Sequence, residues 1–206
     1  MSNLVNKNHP QYEPDKWNKD EYIRRSHNCY AYALNLIYNK NADICKSYMK
    51  ATGNYDCPAV RPQPGIYSGY VDEFKPHPFS CSKLERRMRK DNPLIKKLRK
   101  GQKCPDNFYK VVLVTASDGS DYHFYRQDSN GLWSHKDGFK RATNKDAKGR
   151  LIKDPKDAAR GHLDVFCGYY AFPNNSKYKR MSNQTRKSKK YKNKVSSFEQ
   201  MKKFIG

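Results

Sequence analysis

Apolar and aromatic positions along the chain change period once. Tyr30, Ala33, Leu34, Ile37 and Tyr38 recur at helical spacing and predict a helix over about 27–39, with one buried face and Ser26 as its N-cap. Residues 51–80 hold many Pro and Gly residues and predict an ordered loop. Two more helical stretches are expected, over 82–90 and 93–100, the second opened by Pro93 in its first turn. The pattern then turns to strands. A β-branched run at 110–116 (KVVLVTA), an aromatic-rich run at 121–127 (DYHFYRQ) and the short run 132–135 (LWSH) follow one another. Asp118-Gly119 marks the first turn between them, and Asp128-Ser129-Asn130-Gly131 the second. Residues 165–172 (VFCGYYAF) read as a last strand. Helices first and antiparallel strands afterwards predict an α+β domain.

Composition divides the chain. Its 206 residues suit one domain with a real core. Hydrophobic residues are 36% but aromatics 13%, so Tyr and Phe are expected to carry much of the burial. Residues 1–25 are polar and dotted with Pro10, Tyr12, Pro14 and Trp17, and read as an arm lying across a domain that spans 26–173. From 174 to 206 Lys, Ser and Asn dominate, giving a flexible or partner-ordered tail with a short helix over 197–205.

The formal net charge is +22. A helical insertion at 83–103 holds ten basic and two acidic residues, net +8, and 176–206 holds eleven basic and one acidic, net +10. The charge therefore lies outside the strands and points to a polyanion, nucleic acid or an anionic surface, met through Lys83–Lys103 and Lys177–Lys203. Tyr178 and Tyr191 among those cations suit base stacking with phosphate contact, although no sequence-reading motif accompanies them. No apolar run approaches the roughly 18 residues of a membrane span, so no transmembrane segment is expected. The first twelve residues lack the apolar core of a signal peptide, so a soluble protein not exported by that route is expected. The prevalence of Lys, Asn and Tyr fits a phage or large DNA virus, which would place the protein in the host cytoplasm or the virion.

The cysteines are Cys29, Cys45, Cys57, Cys81, Cys104 and Cys167, with no C-x-x-C pair among them. Reduced, buried thiols are the expectation, with Cys45–Cys57 able to close a small loop under oxidising conditions. Cys57, His77 and Cys81 form a weak metal candidate, and no metal or cofactor is expected.

One constellation has chemistry in it. With Ser26 as cap, Cys29 falls in the first turn of its helix. There the helix dipole and the free N–H groups lower a thiol pKa and stabilise an oxyanion. His27 and Arg25 add positive potential. A thiolate nucleophile needs a base oriented by a third group. His123 sits on a predicted strand, and His135 ends the neighbouring one. Ser134 and Asp137 are alternative orienting groups, because the turn's register decides which side chains share a face.

The wording of these segments carries a resemblance. Residues 28–35 (NCYAYALN) resemble the nucleophile helix of the NlpC-type papain-like cysteine peptidases. Residues 61–65 (RPQPG) are similar to the Pro-Gly loop that follows it. Residues 121–138 (DYHFYRQDSNGLWSHKDG) resemble the family's His-strand, turn and polar-strand unit. Residues 149–156 and 165–173 look like the closing segment of a bacterial and viral subgroup. The resemblance implies a papain-like core, an N-terminal nucleophile helix on a small antiparallel sheet. It also implies a Cys-His-His triad: Cys29 as nucleophile, His123 as base, His135 orienting it. The family mostly cleaves amide bonds in cell-wall peptides. This chain departs from it in Asn28, where many relatives carry Asp, in Ile66, where better-known members have an acidic residue, and in the basic insertion.

Three functions follow as expectations. The first is a thiol hydrolase of peptide or amide bonds. The second is a structural protein using the same fold as a scaffold, such as a minor capsid protein whose basic extensions bind neighbouring subunits. The third is a nucleic-acid binder.

Overall fold

A computed structural model describes residues 9–69, 78–99 and 101–174. His77, Tyr178, Tyr191 and the expected helix over 197–205 lie outside the described residues. The centre is a six-stranded antiparallel sheet in the order β1-β6-β2-β3-β4-β5. Its strands are β1 (Lys96–Leu98), β2 (Phe108–Thr115), β3 (Tyr122–Gln127), β4 (Trp133–Lys136), β5 (Ala142–Thr143) and β6 (Val165–Pro173). The helices are α1 (Pro14–Asn18), α2 (Glu21–Ser26), α3 (Cys29–Ala33), α4 (Asn39–Thr52) and α5 (Cys81–Asp91). The α+β expectation agrees with this mixture.

Side-chain alternation gives the sheet two working faces. On one, Leu113, Phe124, Tyr109, Tyr170 and Phe172 pack under α3 and α5, joined by Tyr30, Leu34, Leu84 and Met88. On the other, Val112, Val114, Tyr125 and Trp133 pack with Ile152 and Leu163 from the long connection to β6. The stretch read as an N-terminal arm carries α1 and α2. Trp17 is 1% exposed and meets the Tyr32 ring edge-on at 4.9 Å.

The elements differ from expectation in three places. The expected helix over 27–39 is only α3. Ser26 ends α2, and Asn28 caps α3, its side chain accepting from the Ala31 N–H at 3.2 Å. Asn35 then takes a left-handed conformation that stops helical pairing. A separate helix, α4, follows. Its polar sequence buries Cys45 alone and carries no long apolar stripe, and it ends at Gly53 with φ 68°. The helix expected over 93–100 is a correction as well. Among its described residues the basic insertion is helical only as far as Asp91, and Lys96–Leu98 pairs with Tyr169–Ala171 of β6. The open edge of β6 and the burial of Ile95 and Leu98 override a weak helical preference.

Four of the six cysteines are oxidised, which corrects the expectation of reduced thiols. Cys45–Cys57 ties α4 to a 3₁₀ turn at Pro58–Val60, and Cys81–Cys167 ties the head of α5 to β6. Cys57 and Cys81 therefore belong to different disulfides and cannot ligate a metal with His77. Among the described residues no cluster of three His, Cys, Asp or Glu residues could hold a metal ion.

Candidate active site

Cys29 is the first residue of α3, 6% exposed and not disulfide-bonded. Two neighbours fix the start of that helix. The Asn28 amide donates to the Pro62 carbonyl at 2.9 Å, so the Pro-Gly loop braces the cap. Buried Asp91, from the end of α5, accepts from Tyr30 Oη at 2.7 Å, the Gly65 N–H at 2.6 Å and the Ser68 N–H at 2.8 Å. One carboxylate thus ties α3, the loop and α5 together. Burial raises it to about 6 against these hydrogen bonds.

The two histidines meet. Tyr125 pairs with His135 across β3 and β4, so His123, two residues before Tyr125, lies on the same face as His135. His123 Nε2 and His135 Nδ1 are 2.8 Å apart, and His135 Nε2 is 3.0 Å from the Lys145 carbonyl. Burial and the neighbouring His135 push His123 down to about 3, and burial lowers His135 too, so both rings are neutral near pH 7. The tautomers follow. A carbonyl only accepts, so His135 carries its proton on Nε2 and accepts through Nδ1. His123 must then donate from Nε2, which leaves His123 Nδ1 with its lone pair, the form a general base requires. The alternatives point elsewhere: Ser134 Oγ is 2.7 Å from Tyr32 Oη, and Asp137 accepts from Lys140 at 2.8 Å.

The sulfur approaches this pair through the backbone. Cys29 packs with Phe124 on the helical face, whereas His123 points to the other. Burial raises the thiol to about 12. The Phe124 and Tyr30 N–H groups hydrogen-bond toward the sulfur and pull the other way, and Asp121 and Asp137 add to the rise. The sulfur thus meets β3 at the N–H of Phe124, the residue after His123. Among the described residues no hydrogen bond joins it to either ring. This corrects the expected lowered thiol pKa: a five-residue helix does not outweigh burial. The resting groups are a neutral thiol and a neutral imidazole with no hydrogen bond between them, so proton transfer has to accompany attack.

His27 is a correction too. Its Nδ1 lies 2.9 Å from the Ile23 carbonyl, and its Nε2 accepts from the Tyr38 N–H at 2.9 Å. Burial lowers it to about 4, so it holds backbone together as a neutral ring and supplies no positive potential. Sequence reasoning missed two buried cations, Arg126 and Lys136. Arg126 pairs with Asp128 at 2.9 Å and bonds the Tyr32 carbonyl at 3.3 Å. The signal for both was strand alternation, which sends these two to the face of Phe124, under α3.

Acid should unfold the protein through these rings. The native pKa values of His27, His123 and His135 lie below the ordinary 6.5, so the unfolded chain binds protons that the fold excludes. Their contribution is complete above pH 6.5 and is lost as pH falls toward 4. For His27 alone it is about 3 kcal/mol. Asp91 and Asp128, both raised, act in the opposite sense and offset part of it. Urea midpoints should fall between about pH 7 and pH 4.5. A flat profile would contradict the buried neutral assignment.

No family model matches the chain, and no solved structure matches it. The chain is similar to "Insoluble matrix shell protein 1" of Ruditapes philippinarum. The two are 32% identical over 161 residues, which cover 77% of this chain and 87% of that protein.

Proposed function

The chain belongs to the family of insoluble matrix shell protein 1, and within that family we propose that it carries a papain-like, NlpC-type core working as a thiol hydrolase of peptide or amide bonds. The observation behind this reading is the polarised pair of imidazoles, anchored at the Lys145 carbonyl, with His123 on the strand whose Phe124 N–H faces the Cys29 sulfur. His123 Nδ1 takes the thiol proton as Sγ attacks a carbonyl carbon. N–H groups at the head of α3 face the oxyanion that forms. His123 then returns the proton to the departing amine, and water cleaves the thioester with the same base. His135 keeps His123 in the tautomer that accepts at Nδ1. Cell-wall peptides are the substrate class that the NlpC resemblance suggests.

The reading is tested with p-nitrophenyl acetate as an acyl donor. The oxidised protein should release nitrophenolate in a burst followed by turnover, and Cys29→Ala should remove both. Release by Cys29→Ala at the wild-type rate would end the hydrolase reading.

Family membership favours a second reading, a structural component of an insoluble assembly. In this reading the exposed cations of α5 (Lys83, Arg86, Arg89 and Lys90) bind an anionic partner, and the disulfides harden the scaffold. A virion component is one form of it. Cys29→Ala would keep full function in this case. Among the described residues no helix is long and apolar enough to cross a membrane.

A further inference from the structure

Lys136 follows His135 on β4, and its side chain is fully buried. Adjacent strand residues point to opposite faces, so His135 joins His123 while Lys136 reaches the side where α2 and α3 lie. There its Nζ donates to the carbonyls of Arg24, His27 (2.5 Å) and Gly138 (2.6 Å). An ammonium has three protons, and all are used. Two of these carbonyls lie in the segment that leads directly into Asn28 and Cys29. The same segment is also held by Arg61 Nε, which donates to the Arg25 carbonyl at 2.9 Å, and by the Asn28–Pro62 bond.

A buried ammonium is costly, and three backbone carbonyls are a full set of partners that an uncharged side chain could not use in the same way. The charged and titratable groups that face it are Arg61 from the Pro-Gly loop, Cys29 from α3, Arg24 from α2 and Asp137 from the end of its own strand.

We propose that Lys136 is a positioning residue for the Cys29 chemistry: it clamps the Cys29-bearing segment to the strand that carries His135, and its ammonium favours the thiolate as the thiol proton leaves. This rests on the thiol-hydrolase reading. Lys136 touches neither sulfur nor substrate. It sets where Cys29 stands relative to His123, and below about pH 7, the value to which burial lowers its ammonium, it supplies positive charge beside the Cys29 segment.

The test is the rate of Cys29 alkylation by iodoacetamide in the full-length oxidised protein, followed by peptide mass spectrometry between about pH 5 and pH 9, well below the melting temperature. Half-buried Cys104 is the internal reference. Below about pH 7 Lys136→Met should slow Cys29 relative to Cys104 by about tenfold or more, its rate should rise with pH without the flattening near pH 7 that loss of the Lys136 proton gives the wild type, and Lys136→Arg should recover most of the rate. Lys136→Gln keeps donors without the charge and should show the same slower rate and the same loss of the flattening near pH 7, and it carries the test if Lys136→Met does not fold. A wild-type rate ratio and pH profile in the uncharged variants, even with a lower melting temperature, would overturn the proposal by reducing Lys136 to a structural role. Alkylation needs no turnover. Failure of p-nitrophenyl acetate turnover in the wild type would sink the hydrolase reading separately.

Discussion

His123→Ala is expected to lower acyl transfer at Cys29 by roughly 10²–10⁴-fold, the usual worth of a positioned general base. The effect should fall on the chemical step, because His123 packs edge-on against Tyr125 at 5.0 Å and its removal leaves α3 and its caps in place. His135→Ala should cost less. The His123 ring would survive but lose the acceptor at 2.8 Å that holds its proton on Nε2, so both tautomers would compete. His135→Asn offers an acceptor again and should recover part of the loss. Rates with p-nitrophenyl acetate, measured with melting temperatures, separate these effects from unfolding. Equal rates for wild type and His123→Ala would remove the base from the account.

The second large effect is on stability. Replacing Cys81 and Cys167 together by Ala should lower the unfolding free energy by about 4–5 kcal/mol, because the bond closes a loop of 86 residues in sequence separation. Removing Cys45–Cys57, with a separation of 12, should cost about 3 kcal/mol. The difference reflects the unfolded chain, which the longer crosslink restricts more. The longer crosslink also holds α5 over the sheet, where Leu84 and Met88 enter the core. A domain is stable by about 5–15 kcal/mol, so losing both bonds consumes most of that margin. Urea unfolding with and without dithiothreitol measures this. A reduced protein with the oxidised midpoint would show that the crosslinks contribute nothing.

Elements with strong local signals were legible. β2 follows its β-branched run, the 128–131 turn joins β3 to β4, and α5 covers the helix expected over 82–90. Elements decided by tertiary pairing were not. β1 exists because β6 offers it an edge, and α4 buries little apolar surface of its own. In the site, the positions of Cys29, His123 and His135 could be proposed from sequence, but two properties could not. The thiol pKa rises because packing desolvates the sulfur, and packing is absent from a local motif. Lys136 reads as a solvated charge until the carbonyls of Arg24 and His27, more than a hundred residues earlier, are seen around it. The Cys81–Cys167 bond is illegible for the same reason.

The proposed hydrolysis requires His123 to act on the Cys29 proton. The most direct measurement compares Cys29 alkylation in wild type and His123→Ala, with Cys104 as reference. The predicted result is a drop of about tenfold or more at Cys29 with Cys104 unchanged. A Cys29 rate indifferent to His123 would contradict the account and leave a disulfide-bonded basic scaffold.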